Sequence, residues 1–197
     1  MKLRSLGLAV VFLAGCNVLS ASTIIVYTTS LTGANESPPT GSPGTGTALV
    51  TIDTLLHTMQ VQVNFSGLTT GDTAAHIHCC TSTPGAGNVG VATVTPTFTG
   101  FPGGVTSGTY DHTFDLTLAS SWNPAYVTAN GGTTAGAEAA LLAGLAADKA
   151  YLNIHTSAFG GGEIRGFLVP VPEPATVGFV GLALAGFIFA RRRHLSA

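Results

Sequence analysis

Charge is what this sequence has least of. Seven Lys and Arg and nine Asp and Glu make up 8% of 197 residues, against roughly a quarter in ordinary soluble domains. The few charges are also segregated, with Lys2 and Arg4 at one end and Arg191, Arg192 and Arg193 at the other. Between residues 23 and 170 only Lys149 and Arg165 oppose eight acidic side chains, a net charge of −6. No basic patch exists for a polyanion to condense on, so nucleic-acid binding is excluded. A Gly-x-Ser-x-Gly elbow and a phosphate-cradling glycine spacing are both missing. No Ser, His and Asp arrangement can be placed on a common structure, which leaves a hydrolase without support. Long apolar runs are missing too: the uncharged apolar run 175–190 would reach about 24 Å as a helix, short of a roughly 30 Å hydrocarbon layer.

What is present in quantity is Gly, Thr, Ala and Val, a balance that suits a β-rich exported protein better than a cytosolic helical or disordered one. The first residues read as a secretory signal over 1–22: basic MKLRS, an apolar stretch from Leu6 to Gly15, then small residues. Two cuts compete. Ser20-Ala21-Ser22 suits ordinary signal peptidase, whereas Leu13-Ala14-Gly15-Cys16 has the form of a lipoprotein box. At the other end, 171–197 carries Pro172-Glu173-Pro174, the apolar run as a hydrophobic helix, and Arg191-Arg192-Arg193. Arginines stay on the cytoplasmic side, which leaves the domain outside. About 145 residues remain between the ends, enough for one domain over 23–170.

In that domain, Met59, Val61, Val63 and Phe65 alternate with Gln60, Gln62 and Asn64, the pattern of a half-buried strand. Similar stretches at 24–32, 46–53, 74–79, 91–98, 109–118, 151–156 and 163–169 are separated by Gly, Pro, Ser and Asn clusters. Their spacing predicts a mainly β fold, an antiparallel β-sandwich of immunoglobulin-like or superoxide-dismutase-like type. Residues 135–149, dense in Ala and Leu and free of β-branched side chains, predict one short helix packed across an end of the sandwich.

Polar chemistry concentrates in three places. Period-two geometry on Ala75-His76-Ile77-His78-Cys79-Cys80 puts His76 and His78 on one face. In Tyr151-Leu152-Asn153-Ile154-His155-Thr156, Asn153 and His155 face away from the core. The third, Gly162-Glu163-Ile164-Arg165-Gly166, follows a glycine-rich turn. One hairpin register sets Ile154 opposite Ile164, His155 opposite Glu163 and Asn153 opposite Arg165, gathering a polar network of Glu36, Asn153, Glu163 and Arg165 with the imidazoles; a slip of two residues keeps the same side and pairs His155 with Arg165 instead. His76, His78 and His155 form a candidate three-ligand set for Cu or Zn; the competing reading makes them hydrogen-bonded structural histidines tied to Glu36, Glu163 and Arg165. Cys79 and Cys80 admit a vicinal disulfide, two thiols, or Cys80 joining His76 and His78 at a metal. His112 shares the apolar register of Tyr110 and Phe114 and reads as structural. Trp122, Tyr126 and Phe159 sit near loops, where aromatic rings can stack on sugars.

Two resemblances follow from these motifs. The combination of Ala75-His76-Ile77-His78, Tyr151 to Thr156 and Gly162 to Gly166, with Leu31 to Pro39 near the start, resembles the CHRD domain, first recognised in chordin and widespread in bacteria. That resemblance implies a β-sandwich of extracellular proteins and no established activity. The last residues resemble the PEP-CTERM sorting tail of Gram-negative bacteria, which implies processing by an exosortase-type enzyme after transient membrane contact. It further implies a cell-surface or extracellular destination in a cell that makes extracellular polysaccharide. The histidine pattern also resembles the copper site of Cu/Zn superoxide dismutases, although that family's bridging histidine and acidic zinc loop have no counterpart here. Two functions are therefore expected to compete: a noncatalytic surface or matrix protein in contact with exopolysaccharide, and a metal-binding redox protein.

Overall fold

The computed structural model describes residues 24–172. The signal expected at 1–22, the apolar helix at 175–190 and the terminal arginines lie outside the described residues. Among the described residues, no helix is long and apolar enough to cross a membrane.

The elements run β1 (Ile24–Thr32), β2 (Thr45–Asp53), β3 (Thr58–Ser66), β4 (Asp72–His78), β5 (Gly108–Asp115), α1 (Pro124–Ala129), α2 (Thr134–Ala146), β6 (Tyr151–Thr156), β7 (Ile164–Phe167) and β8 (Val169–Pro170). Alternation sets the first half. Met59, Val61 and Val63 of β3 pair with Ile52, Val50 and Ala48 of β2, and with Phe114, His112 and Tyr110 of β5. All of these except His112 are buried, so one side of this half of the sheet is continuous core. His112 is half-buried, with its ring against Tyr110 and Phe114. The β2–β3 turn is held by Asp53 Oδ1, which accepts the Leu55 and Leu56 N–H groups. There His57 reaches both oxygens of Glu138 on α2 at 3.0 Å, a partner that sequence reading did not supply.

The predicted sandwich is corrected to a single curled antiparallel sheet, a half-barrel in the order β4-β6-β7-β1-β2-β3-β5. The reason is β1. It pairs along its whole length with β2, and on its other edge it meets β7 at Thr32–Arg165 and β8 at Tyr27–Pro170 and Thr28–Val169. One strand hydrogen-bonded on both edges fuses what would otherwise be two sheets.

Residues 91–98, expected as a strand, form a loop laid along β4. Two hydroxyls take the place of ladder carbonyls, since Thr93 and Thr97 accept the N–H groups of Ile77 and Ala75. Pro96 has no N–H to offer a ladder. The loop covers what would be an open sheet edge. The helix expected at 135–149 is α2, which starts where Thr133 caps Gly136 N and ends before Asp148, whose φ of 55° no helix accommodates. α1 was not anticipated, although Asn123 followed by Pro124 is a capping signal, and Asn123 accepts from Ala125 N.

Candidate metal centre

β4, β6 and β7 lie side by side with Ala75, Ile77, Leu152, Ile154 and Ile164 turned into the core. Period-two geometry then forces His76, His78, Tyr151, Asn153, His155 and Arg165 onto the opposite face. That face is not open to solvent. The loops around 35–37, 85–97 and 159–162 fold over it, leaving His76, His78, Tyr151, Asn153 and Arg165 buried and His155 half-buried. The expectation that this face points away from the core holds; its burial was not foreseen.

The three imidazoles cluster with ring centroids 5.2, 5.7 and 5.8 Å apart. One ring nitrogen from each lies within 4.8 Å of those of the other two. Every ring is tied at one nitrogen to a backbone carbonyl of a loop folded over the sheet, two from 85–97 and one from 159–162. His76 Nε2 bonds Pro96 O, His78 Nδ1 bonds Val89 O at 2.8 Å, and His155 Nδ1 bonds Gly160 O at 3.0 Å. A carbonyl only accepts, so these nitrogens carry the protons. His76 Nδ1, His78 Nε2 and His155 Nε2 are thereby left with lone pairs, and all three are buried without a hydrogen-bond partner.

Burial is the main cause that holds the rings neutral. It pushes His76 and His78 down to about 4, against carbonyl hydrogen bonds that pull upward and with neighbouring imidazoles adding to the fall. His155 is lowered in the same direction by burial. Arg165 adds to the lowering at His78.

Around the cluster, the Tyr151 ring stacks on His78 at 4.8 Å, and the Arg165 guanidinium sits 4.7 Å from the centre of that same Tyr151 ring. Arg165 donates to Asn35 O at 2.6 Å, Gly87 O at 3.1 Å and Asn88 Oδ1 at 2.6 Å, and lies 3.7 Å from Glu36. Burial outweighs that guanidinium and raises the Glu36 carboxyl to about 7. Asn153 stands opposite His76 on one side and Arg165 on the other, with its Oδ1 unpartnered.

The register with Ile154 opposite Ile164 and Asn153 opposite Arg165 is the one observed. The expected gathering of Glu163 into the same network is corrected. Glu163, fully buried, accepts from Ser42 Oγ at 2.5 Å, Thr69 N at 2.6 Å and Thr156 Oγ1 at 2.6 Å, and from neither Arg165 nor an imidazole. Burial alone would raise its carboxyl; those donors override it and lower it. Short hydroxyls within reach, at positions 42 and 156, were the missed signal.

Cys79 and Cys80 are joined as a vicinal disulfide, so neither thiol reading applies in this structure. The sulfurs pack against Gly144 of α2, where a Cβ would run into both, and the Cys80 sulfur is 3.7 Å from the Tyr126 hydroxyl. Trp122 and Tyr126 are core residues rather than exposed sugar platforms, the indole donating to Leu116 O; Phe159 is half-buried.

A family model described as CHRD domain matches residues 27–168, and one described as PEP-CTERM protein-sorting motif matches residues 170–193. Among curated proteins and solved structures nothing matches the chain significantly.

Proposed function

The chain belongs to the CHRD domain family and ends in a PEP-CTERM sorting motif, and from that premise we propose that it is an exported protein whose β domain holds a transition-metal ion on His76, His78 and His155. The sorting motif is a substrate signal for exosortase processing and marks export via the inner membrane to the cell surface or extracellular space. On this reading 1–22 is the removed signal, 23–170 the working domain and 171–197 the sorting segment.

One observation carries the metal reading: three buried imidazole nitrogens, one from each histidine, have lone pairs and no partner. A buried acceptor left unpaired costs about 1–3 kcal/mol, and three in one place is an expensive arrangement unless something accepts the lone pairs. Structural histidines would spend both ring nitrogens on the protein. These spend one each, on backbone carbonyls, which is how ligating imidazoles are oriented and made more basic. Half-buried His155 supplies the side from which an ion enters. Exopolysaccharide contact, the finer reading of the tail, keeps only Phe159 of its three aromatic candidates.

Metal analysis of the protein purified from its native host tests this. The expected content is one Cu or Zn per chain, lost in His76→Ala. A metal-free wild-type protein with the same melting temperature before and after incubation with Cu and Zn removes the proposal.

A further inference from the structure

Resting on that three-histidine reading, we infer that the site is built for a monovalent soft ion, Cu(I), held by three imidazoles with no anionic ligand. The donor set is the first reason. Among the described residues the cluster contains histidine only, and each contributes a neutral nitrogen. Neither acidic group nearby in the fold belongs to the cluster: both Glu163 oxygens take hydrogen bonds from Ser42, Thr69 and Thr156, and Glu36, whose Oε1 has no partner, is held 3.7 Å from Arg165 through its Oε2. The sulfurs of Cys79 and Cys80 are spent on each other.

Charge is the second reason. The cost of taking an ion out of water grows with the square of its charge, so a divalent ion suffers about four times the penalty of a monovalent one in the same cavity. Buried metal sites for divalent ions offset this with carboxylate, thiolate or hydroxide ligands. Here a cation is built in on the Tyr151 side: Arg165 lies over the ring that stacks on His78, with Glu36 3.7 Å from it. An added positive charge of one is tolerable beside it. An added charge of two, with nothing anionic in the ligand shell, is much less so.

Geometry agrees. An ion about 2.0 Å from three nitrogens in one plane holds them roughly 3.5 Å apart, and higher coordination draws them closer still. One nitrogen from each ring lies within 4.8 Å of the other two, a spread wider than any of these, so the planar three-coordinate arrangement asks for the least inward movement. Imidazole is a good ligand for copper, and a closed-shell Cu(I) ion imposes no geometry of its own that would ask for a fourth donor.

The test is competition for the ion on the whole exported protein under anaerobic conditions. Cu(I) is presented with bathocuproine disulfonate as competitor, Zn(II) is titrated in parallel against a zinc chelator, and X-ray absorption is recorded on the Cu(I) form. The expected result is one Cu(I) per chain, bound more tightly than Zn(II) by on the order of a hundredfold or more. Its absorption spectrum should fit three nitrogen neighbours and no oxygen. His78→Gln and His155→Gln, with unchanged circular dichroism, should each weaken Cu(I) by about a hundredfold. Stoichiometric Zn(II) bound as tightly as Cu(I), or a fourth oxygen ligand on copper, overturns the Cu(I) assignment and leaves the three-histidine reading standing. Binding of neither ion overturns both.

Discussion

His76 and His78 were legible as a pair because they stand two positions apart on a strand, with Ile77 between them, and no other spacing puts side chains on one face so directly. His155 was legible because the even positions of its strand, Leu152 and Ile154, face the core and leave His155 on the other side. What no sequence rule supplied was the carbonyl behind each ring: Val89, Pro96 and Gly160 reach the site only through loops folded over the sheet. The same residues yield a pH expectation for the metal-free protein. His76 and His78 titrate near 6.5 when unfolded and about 4 when folded, so the unfolded chain binds more protons between those values. Their contribution is complete above pH 6.5 and is lost as pH falls through 4. Glu36 works against them, because its raised folded value of about 7 favours the folded state at lower pH, and Arg165 facing it moderates that rise. Two histidines, helped by His155, outweigh one carboxyl. The melting temperature without metal should therefore drop between pH 6.5 and 4 in a calorimetric series, and His76→Gln should flatten the drop; a melting temperature that rises across that window would contradict the assignment of neutral buried rings.

At the scale of elements, β1, β3 and β6 lie within a residue of where alternation places them, because each has one face committed to the core. The segment 91–98 failed for a physical reason: its alternating Val and Thr look like a strand, yet two of the threonines use their hydroxyls as ladder acceptors and Pro96 cannot donate. α1 is only 6 residues long and buries Tyr126, too short for periodicity to reveal it. α2 carries a sharper expectation. Gly144 lies in the last turn of α2, where Ala would gain at most about 1 kcal/mol of propensity. A Cβ there would meet both sulfurs of the Cys79–Cys80 pair. Overpacking of that kind costs typically 1–3 kcal/mol, so it should win. Gly144→Ala is expected to lower the urea midpoint, and a midpoint at or above wild type would show that α2 does not bear on the disulfide as described.

For the molecule as a whole, the mainly β class and the antiparallel pairing were readable from alternation and turn residues, while the joining of two halves into one curled sheet was not. That depends on β1 using both of its edges, a long-range fact that leaves no periodic trace. The export address was readable because it is local: Pro172-Glu173-Pro174, an apolar run and three arginines stand in one stretch. Function sits between these cases. The residue types were visible and their convergence was not, since His155 and the pair on β4 meet only when β6 lies beside that strand.

The central claim is that His76, His78 and His155 share one ion. Anomalous diffraction from crystals of the copper-loaded protein, recorded on both sides of the copper edge, addresses it most directly. The account predicts a single strong peak about 2 Å from His76 Nδ1, His78 Nε2 and His155 Nε2. A copper peak elsewhere on the domain, with these three nitrogens bonded to protein or water instead, would contradict it.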